Sequence, residues 1–162
     1  MSPLATNSAI HGILNLNKPK DVTSMDVIRQ VKRLTKVQRV GHAGTLDPIA
    51  TGVLPICFGQ ATRLMEFLVE GKKVYRAEVT LGVATDTYDA YGQTVETRDW
   101  TNVTKPQMEI LLNDFVGLTE QIPPMFSAVK HEGKRLYTLA REGIQVARRA
   151  REVRVYQLDL TT

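Results

Sequence analysis

Residues 41–52, GHAGTLDPIATG, set one acid, Asp47, among three glycines, a histidine and a proline, with no second acid inside the stretch. Two chemistries fit this pattern. In the first, Asp47 and Pro48 are the N-cap and first residue of a short turn, and His42 is an ordinary histidine. In the second, glycines allow tight bends and close backbone approach, Pro48 biases Asp47 away from helical dihedrals, and the loop presents a lone carboxylate to a ligand.

A carboxylate in water is ionised at neutral pH. Such a group can attack a sugar anomeric carbon or take a proton beside it. Hydrolysis of a glycosidic bond ordinarily uses two carboxylates, one to manage water or the leaving group. A single acid fits better with a glycosidic bond that is cut and remade on the same base, with no water consumed. A nucleoside hydrolase would need Asp86 or Asp89 as its second acid.

Other candidates are weaker. Asp86, Asp89 and Gly92 have a superficial calcium-loop look, but Tyr88 and Ala90 stand where oxygen ligands are needed. They read as loop residues. Three scattered histidines and one cysteine give no zinc pattern, so no metal is expected. The run Arg148, Arg149, Arg151, Arg154 suits phosphate contact or a solvated strand edge.

The elements that must position these residues can be read from periodicity. Ile13–Leu16 forms a strand, followed by a turn through residues 17–21. Thr23 and Asp26 make a capping box, and Val27, Val31 and Leu34 supply a helical stripe. The GHAGTLDPIATG loop and the apolar run Val53–Phe58 follow. A helix is expected over 61–70, carrying Ala61, Leu64, Met65 and Leu68 on one side. A strand is expected over 75–81, with Tyr75, Ala77, Val79 and Leu81 on one face. After a polar loop over 85–93, a helix starting at Thr104 buries Met108, Leu111, Leu112 and Phe115. A strand over 125–130, a turn at Glu132–Gly133, a helix over 136–142 and a final strand over 153–160 complete the reading. The irregular mixture predicts an α+β fold with a mixed, largely antiparallel sheet flanked by helices. A strand ending two residues before Thr162 is expected to leave an unpaired edge.

The chain has 162 residues, 43% hydrophobic and 23% charged, as an ordinary globular domain has. One cysteine, Cys57, excludes a disulfide framework and favours a reducing compartment, so the cytoplasm is expected. No apolar run is long enough for a membrane helix, and the start lacks the pattern of a secretion signal. Residues 1–11 are expected to be a loose tail before one domain over 12–162. Net charge is +4 and uneven: residues 18–39 hold seven Lys/Arg against two acids, 130–154 hold eight against three, and 40–129 hold six against eleven. Two basic segments flanking an acidic middle would attract phosphates or form solvated faces.

Four stretches resemble one family: GILNLNKP at 12–19, GHAGTLDPIATGVLPICFGQATR at 41–63, KKVYRAEVTLGVATDTYDAYG at 72–92 and IPPMFSAVKHEGKRLYTLAREG at 122–143. Together they are similar to the TruB family of tRNA pseudouridine synthases, in the expected order over nearly the whole chain. The resemblance implies a pseudouridine synthase fold. It also implies conversion of the uridine at position 55 of the tRNA T loop to pseudouridine, without cofactor or metal. Asp47 then matches the essential aspartate and His42 the histidine that fills the gap left by the flipped base. Tyr75 matches the tyrosine that packs on the uracil. Lys18 and Pro19 match a motif that supports the active-site loop, with RNA contact or a plain surface position as alternatives for Lys18. The family continues with strands carrying an arginine that pairs with the aspartate, a second tyrosine and a leucine of the uracil pocket, then an RNA-binding domain. None of these is present in the chain, so an incomplete catalytic domain is expected. It is expected to act as a monomer, with a truncated, weakly active or inactive RNA-binding module as the alternative.

Overall fold

Thr23 and Asp26 start the first helix as their spacing predicts. The Asp26 amide donates to Thr23 Oγ1 (3.1 Å), and the Thr23 amide donates to Asp26 Oδ2 (3.2 Å). In the computed structural model, which describes residues 10–161, this box opens α1, Ser24–Thr35. Ahead of it lies β1, Gly12–Lys18; after it come β2, Val40–His42, and β3, Gly52–Phe58. The three strands form one antiparallel sheet in the order β1-β3-β2, with Leu14 opposite Ile56, Leu16 opposite Leu54, and His42 opposite Ile56 on the other side.

The central strand contains Pro55, which has no N–H to give. Its carbonyl accepts from the Ala43 amide at 2.9 Å, so its missing donor faces β2 and not β1. Pro55 cannot return that bond, and β2 therefore ends at His42, where the chain leaves the sheet.

One face of this sheet is sealed by α1. Val27, Ile28 and Val31 pack on Leu54, Ile56 and Phe58, with Leu16, Val22, Val37, Val40 and Leu46 around them. Burying each such side chain is worth roughly 1.5–3 kcal/mol. The expected stripe is corrected at one position: Leu34 is 73% exposed, and Ile28 takes its place at 3%. The core-facing arc is centred on residues 24, 27, 28 and 31, and Leu34, in the last turn of the helix, is not part of it.

The chain divides into two units, Met1–Arg76 and Ala77–Thr162. In the first, the helix expected over 61–70 is divided: a tight 3-10 turn at Gly59–Leu64 precedes α2, Met65–Glu70. Leu64 and Leu68 are exposed. The proposed N-terminal tail lies mostly outside the described residues; of its last two, His11 accepts a bond from the Gln60 amide at 3.1 Å.

No strand forms over 75–81. Alternation alone makes no strand without a partner to bond, and among the described residues none pairs with this stretch. The second unit holds β4, Val83–Thr85, and β5, Thr94–Thr97, joined by the polar loop. It continues with α3, Lys105–Asn113, opened by the Thr104–Gln107 box, then β6, Gly117–Gln121. No residue of α3 is fully buried, and Leu111 and Phe115 are about half exposed at 49% and 51%, against the buried face expected. The strand expected over 125–130 shrinks to β7, Lys130–His131, paired with β8, Lys134–Arg135, across a turn in which Glu132 and Gly133 both have positive φ. Then come α4, Leu136–Arg141, and β9, Arg151–Val155. The final strand lies earlier than expected: β9 bonds β6 along one side, no described strand bonds its other side, and residues 156–161 are irregular. Every strand pairing among the described residues is antiparallel, within an α+β architecture.

Candidate active-site loop

Two connections of the first unit meet beside Asp47. One joins β1 to α1 through residues 19–23; the other, residues 43–51, joins β2 to β3. The second is the glycine-rich loop. Gly44 has φ +97, a conformation most side chains resist, and it lets the chain reverse just after the sheet. At Gly41 a Cβ would stand 2.7 Å from Met65 Sδ, so the glycine leaves room for the end of that flexible side chain against β2.

The loop is pinned at several points. Lys18, fully buried at the end of β1, donates from Nζ to the carbonyls of Val22 (2.7 Å), Pro19 (2.9 Å) and Pro48 (3.2 Å). Three ammonium protons thus meet three acceptors. The Pro48 carbonyl also accepts from the Asp21 amide at 2.7 Å. Ser24 Oγ donates to the Leu46 carbonyl and accepts from the Leu46 amide, both at 3.0 Å. The Ala50 amide closes a turn onto the Asp47 carbonyl at 3.0 Å.

These bonds decide which way the carboxylate faces. Leu46 packs its side chain against the core, and its neighbour Asp47 is exposed. The backbone turn forms, but the Asp47 carboxylate does not cap it and makes no hydrogen bond or ion pair with any described residue. A pinned backbone fixes where the Asp47 side chain leaves the loop, and a carboxylate with no internal partner is available to a ligand.

His42, half-buried at the end of β2, has Nδ1 2.6 Å from the Gly44 carbonyl. A carbonyl only accepts, so Nδ1 carries the proton and the ring is held by the same loop that carries Asp47. Tyr75 is 69% exposed on an extended segment and makes no hydrogen bond or ring contact with described residues. The surface position weighed for Lys18 is overturned: its ammonium is sealed inside and has no donor left for RNA.

Sequence reasoning missed Ser24 and Pro55. Ser24 was masked by the capping box beside it, although a serine on the core-facing arc of α1 is itself a signal. Pro55 is a signal too, since proline inside an apolar strand marks where a neighbour must stop.

The acids of the polar loop are exposed and bond within the loop. Asp86 Oδ1 accepts from the Gln93 amide (2.8 Å), and Asp89 Oδ1 from Thr87 Oγ1 (2.7 Å) and the Tyr91 amide (2.9 Å). Among the described residues no group of three or more His, Cys, Asp or Glu could hold a metal. The arginine run is partly committed: Arg151 grips Gln121 Oε1 across β6–β9 (2.7 and 3.1 Å), and Arg148 Nη1 donates to the Pro123 carbonyl (3.2 Å). Arg149 and Arg154 are exposed. On α1 and its C-cap, Lys32, Arg33 and Lys36 are exposed, and Arg29 pairs with Asp26. No helix among the described residues is long and apolar enough to cross a membrane.

A family model described as TruB family pseudouridylate synthase (N terminal domain) matches residues 32–162. The chain is 46% identical over 150 residues to tRNA pseudouridine synthase B of Clostridium perfringens, covering 93% of this chain and 51% of that protein. It is 50% identical over 149 residues to the protein of the same name from Clostridium kluyveri, covering 92% and 51%. The chain therefore spans about half the length of the curated relatives it matches. Among solved structures, one described as a Cbf5-Nop10-Gar1 complex matches with a TM-score of 0.57 at 25% identity, over 93% of this chain and 36% of that one. The chain belongs to the TruB family of pseudouridylate synthases and carries its N-terminal domain.

Proposed function

We propose that the chain carries the catalytic carboxylate of a tRNA pseudouridine synthase, and that Asp47 acts on the T-loop uridine at position 55. The observation that supports this most directly is the outward, unengaged Asp47 on a loop tied down from both sides, in a chain of this family. The two relatives described above are named tRNA pseudouridine synthase B.

The reaction balances without water. The N1–C1′ bond breaks, the uracil turns, and a C5–C1′ bond forms; C5 gives up one proton and N1 takes one. Asp47 either adds to C1′ or removes the ribose proton beside it, and both courses need an ionised carboxylate free of internal partners. The target base lies in a folded loop and must leave its stack, at a cost of a few kcal/mol. His42, its ring held by Gly44, fills the vacancy and offsets part of that cost. Tyr75 offers its ring to the flipped uracil. Lys18 serves the substrate only through the loop it clamps. A tRNA substrate, a monomeric protein, the cytoplasm and no metal or cofactor complete the proposal.

The test is tritium release from C5-labelled uridine in a T-stem-loop RNA. Wild type releases tritium, and Asp47→Asn releases none; equal release by both refutes the role of Asp47. One observation favours a second reading: no described lysine or arginine pairs with Asp47. A missing electrostatic partner ordinarily lowers a rate by roughly a hundredfold to a thousandfold. Salt-sensitive binding of the RNA with no release from wild type would select this binding-module reading and refute the enzyme.

A further inference from the structure

Ser24 is the first residue of α1, yet it does not cap the helix; Thr23 and Asp26 do that between them. Its hydroxyl is left with nothing to do for its own helix. A buried hydroxyl without partners is costly, and at 3% exposure Ser24 sits where alanine would pack as well and favour the helix more. The hydroxyl is instead spent on one residue 22 positions away, satisfying both the carbonyl and the amide of Leu46 at 3.0 Å.

Strand pairing normally satisfies both main-chain groups of a residue; here a side chain does so for a loop. The consequence falls on the next residue. Leu46 is fixed by Ser24, and the Pro48 carbonyl is fixed by Lys18 and the Asp21 amide. The backbone of Asp47 is thereby held between two clamps, one from each end of the β1–α1 connection. The Lys18 clamp alone acts only on the Pro48 side of Asp47; Ser24 supplies the hydrogen bonds on the Leu46 side.

We propose that Ser24 is a positioning residue for Asp47, setting the angle at which the carboxylate meets the ribose. The inference rests on the proposed function and adds a residue that touches neither substrate nor reacting atom. A misplacement of about 1 Å commonly lowers a rate by roughly a hundredfold. Ser24→Ala should therefore lower kcat by roughly tenfold to a hundredfold while KM changes little.

The experiment compares wild type, Ser24→Ala, Ser24→Thr, Thr35→Ala and Asp47→Asn in the tritium-release assay, well below each melting temperature. Thr35 is the control: on the same helix its hydroxyl also donates to a carbonyl, of Val31 at 2.8 Å, and accepts from an amide, of Val37 at 3.3 Å, but neither lies in the loop. Expected are a kcat defect in Ser24→Ala, recovery in Ser24→Thr, none in Thr35→Ala, and faster hydrogen exchange at the Leu46 amide in Ser24→Ala. If Ser24→Thr does not fold, the paired readings of kcat and Leu46 exchange in Ser24→Ala decide alone. A lower melting temperature with kcat within twofold of wild type, while Asp47→Asn is dead, overturns the role of Ser24 and leaves the function standing. An active Asp47→Asn, or a wild type that releases no tritium, overturns both.

Discussion

Replacing Lys18 by methionine separates the two roles a lysine beside the active loop can play. The substitution keeps a long unbranched side chain and deletes the ammonium. The carbonyls of Pro19, Val22 and Pro48 lose a donor, but Pro48 keeps the Asp21 amide. A buried carbonyl left unpaired costs about 1–3 kcal/mol; Pro19 is exposed and Val22 half-buried, so the two together give about 2–4 kcal/mol at most. Against this, the ammonium no longer has to be taken out of water, which moves the expectation to about 1–3 kcal/mol. For a unit the size of Met1–Arg76, that corresponds to a drop in Tm of roughly 5–20 °C. The assay is urea unfolding followed by circular dichroism, paired with RNA binding by fluorescence anisotropy over a range of salt. A buried clamp gives a large stability loss and leaves the salt dependence of binding by folded protein unchanged. A lysine that contacts phosphate gives the reverse: stability within about 0.5 kcal/mol of wild type, and a log–log salt slope shallower by about 0.7–0.9. That second pattern would refute the reasoning.

Two further outcomes follow from the same geometry. Changing Lys32, Arg33 and Lys36 together to glutamine should weaken T-stem-loop RNA binding and reduce the salt slope by up to about 2–3, with little loss of Tm; an unchanged slope removes the α1 face from the RNA interface. Asp26 has its pKa lowered from 3.8, first by the Thr23 hydroxyl, then by the Thr23 amide, with Arg29 adding to it. A depressed carboxylate stabilises the fold above its unfolded pKa and loses that contribution as pH falls through the lower folded value. The stability gap between wild type and Asp26→Asn should thus be full above about pH 5 and close below the 3.8 reference, as read by urea midpoints across pH; a gap that persists at the acid end contradicts it.

Local chemistry was legible because it depends on neighbours in the chain. The Thr23–Asp26 box, the Thr104–Gln107 box, the Glu132–Gly133 turn and the bend around Gly44 each form from residues within a few positions of one another. The lone acid in GHAGTLDPIATG could be singled out for the same reason. What needed the fold was every assignment that turns on a distant partner. Lys18 reads as a solvated cation until Pro48, thirty positions on, supplies a carbonyl over it. Leu34 continues the stripe of Val27 and Val31 by spacing, and only the packing shows that Ile28 takes the buried place and Leu34 stays in water. The alternation of Tyr75–Leu81 promised a strand that no neighbour pairs, and Arg151 spends its guanidinium on Gln121 across a sheet. The sequence determined which residue to propose for the chemistry. The tertiary structure decided how that residue is held, because the bonds that aim Asp47 come from Lys18 and Ser24, which the chain places far from it and folding brings alongside.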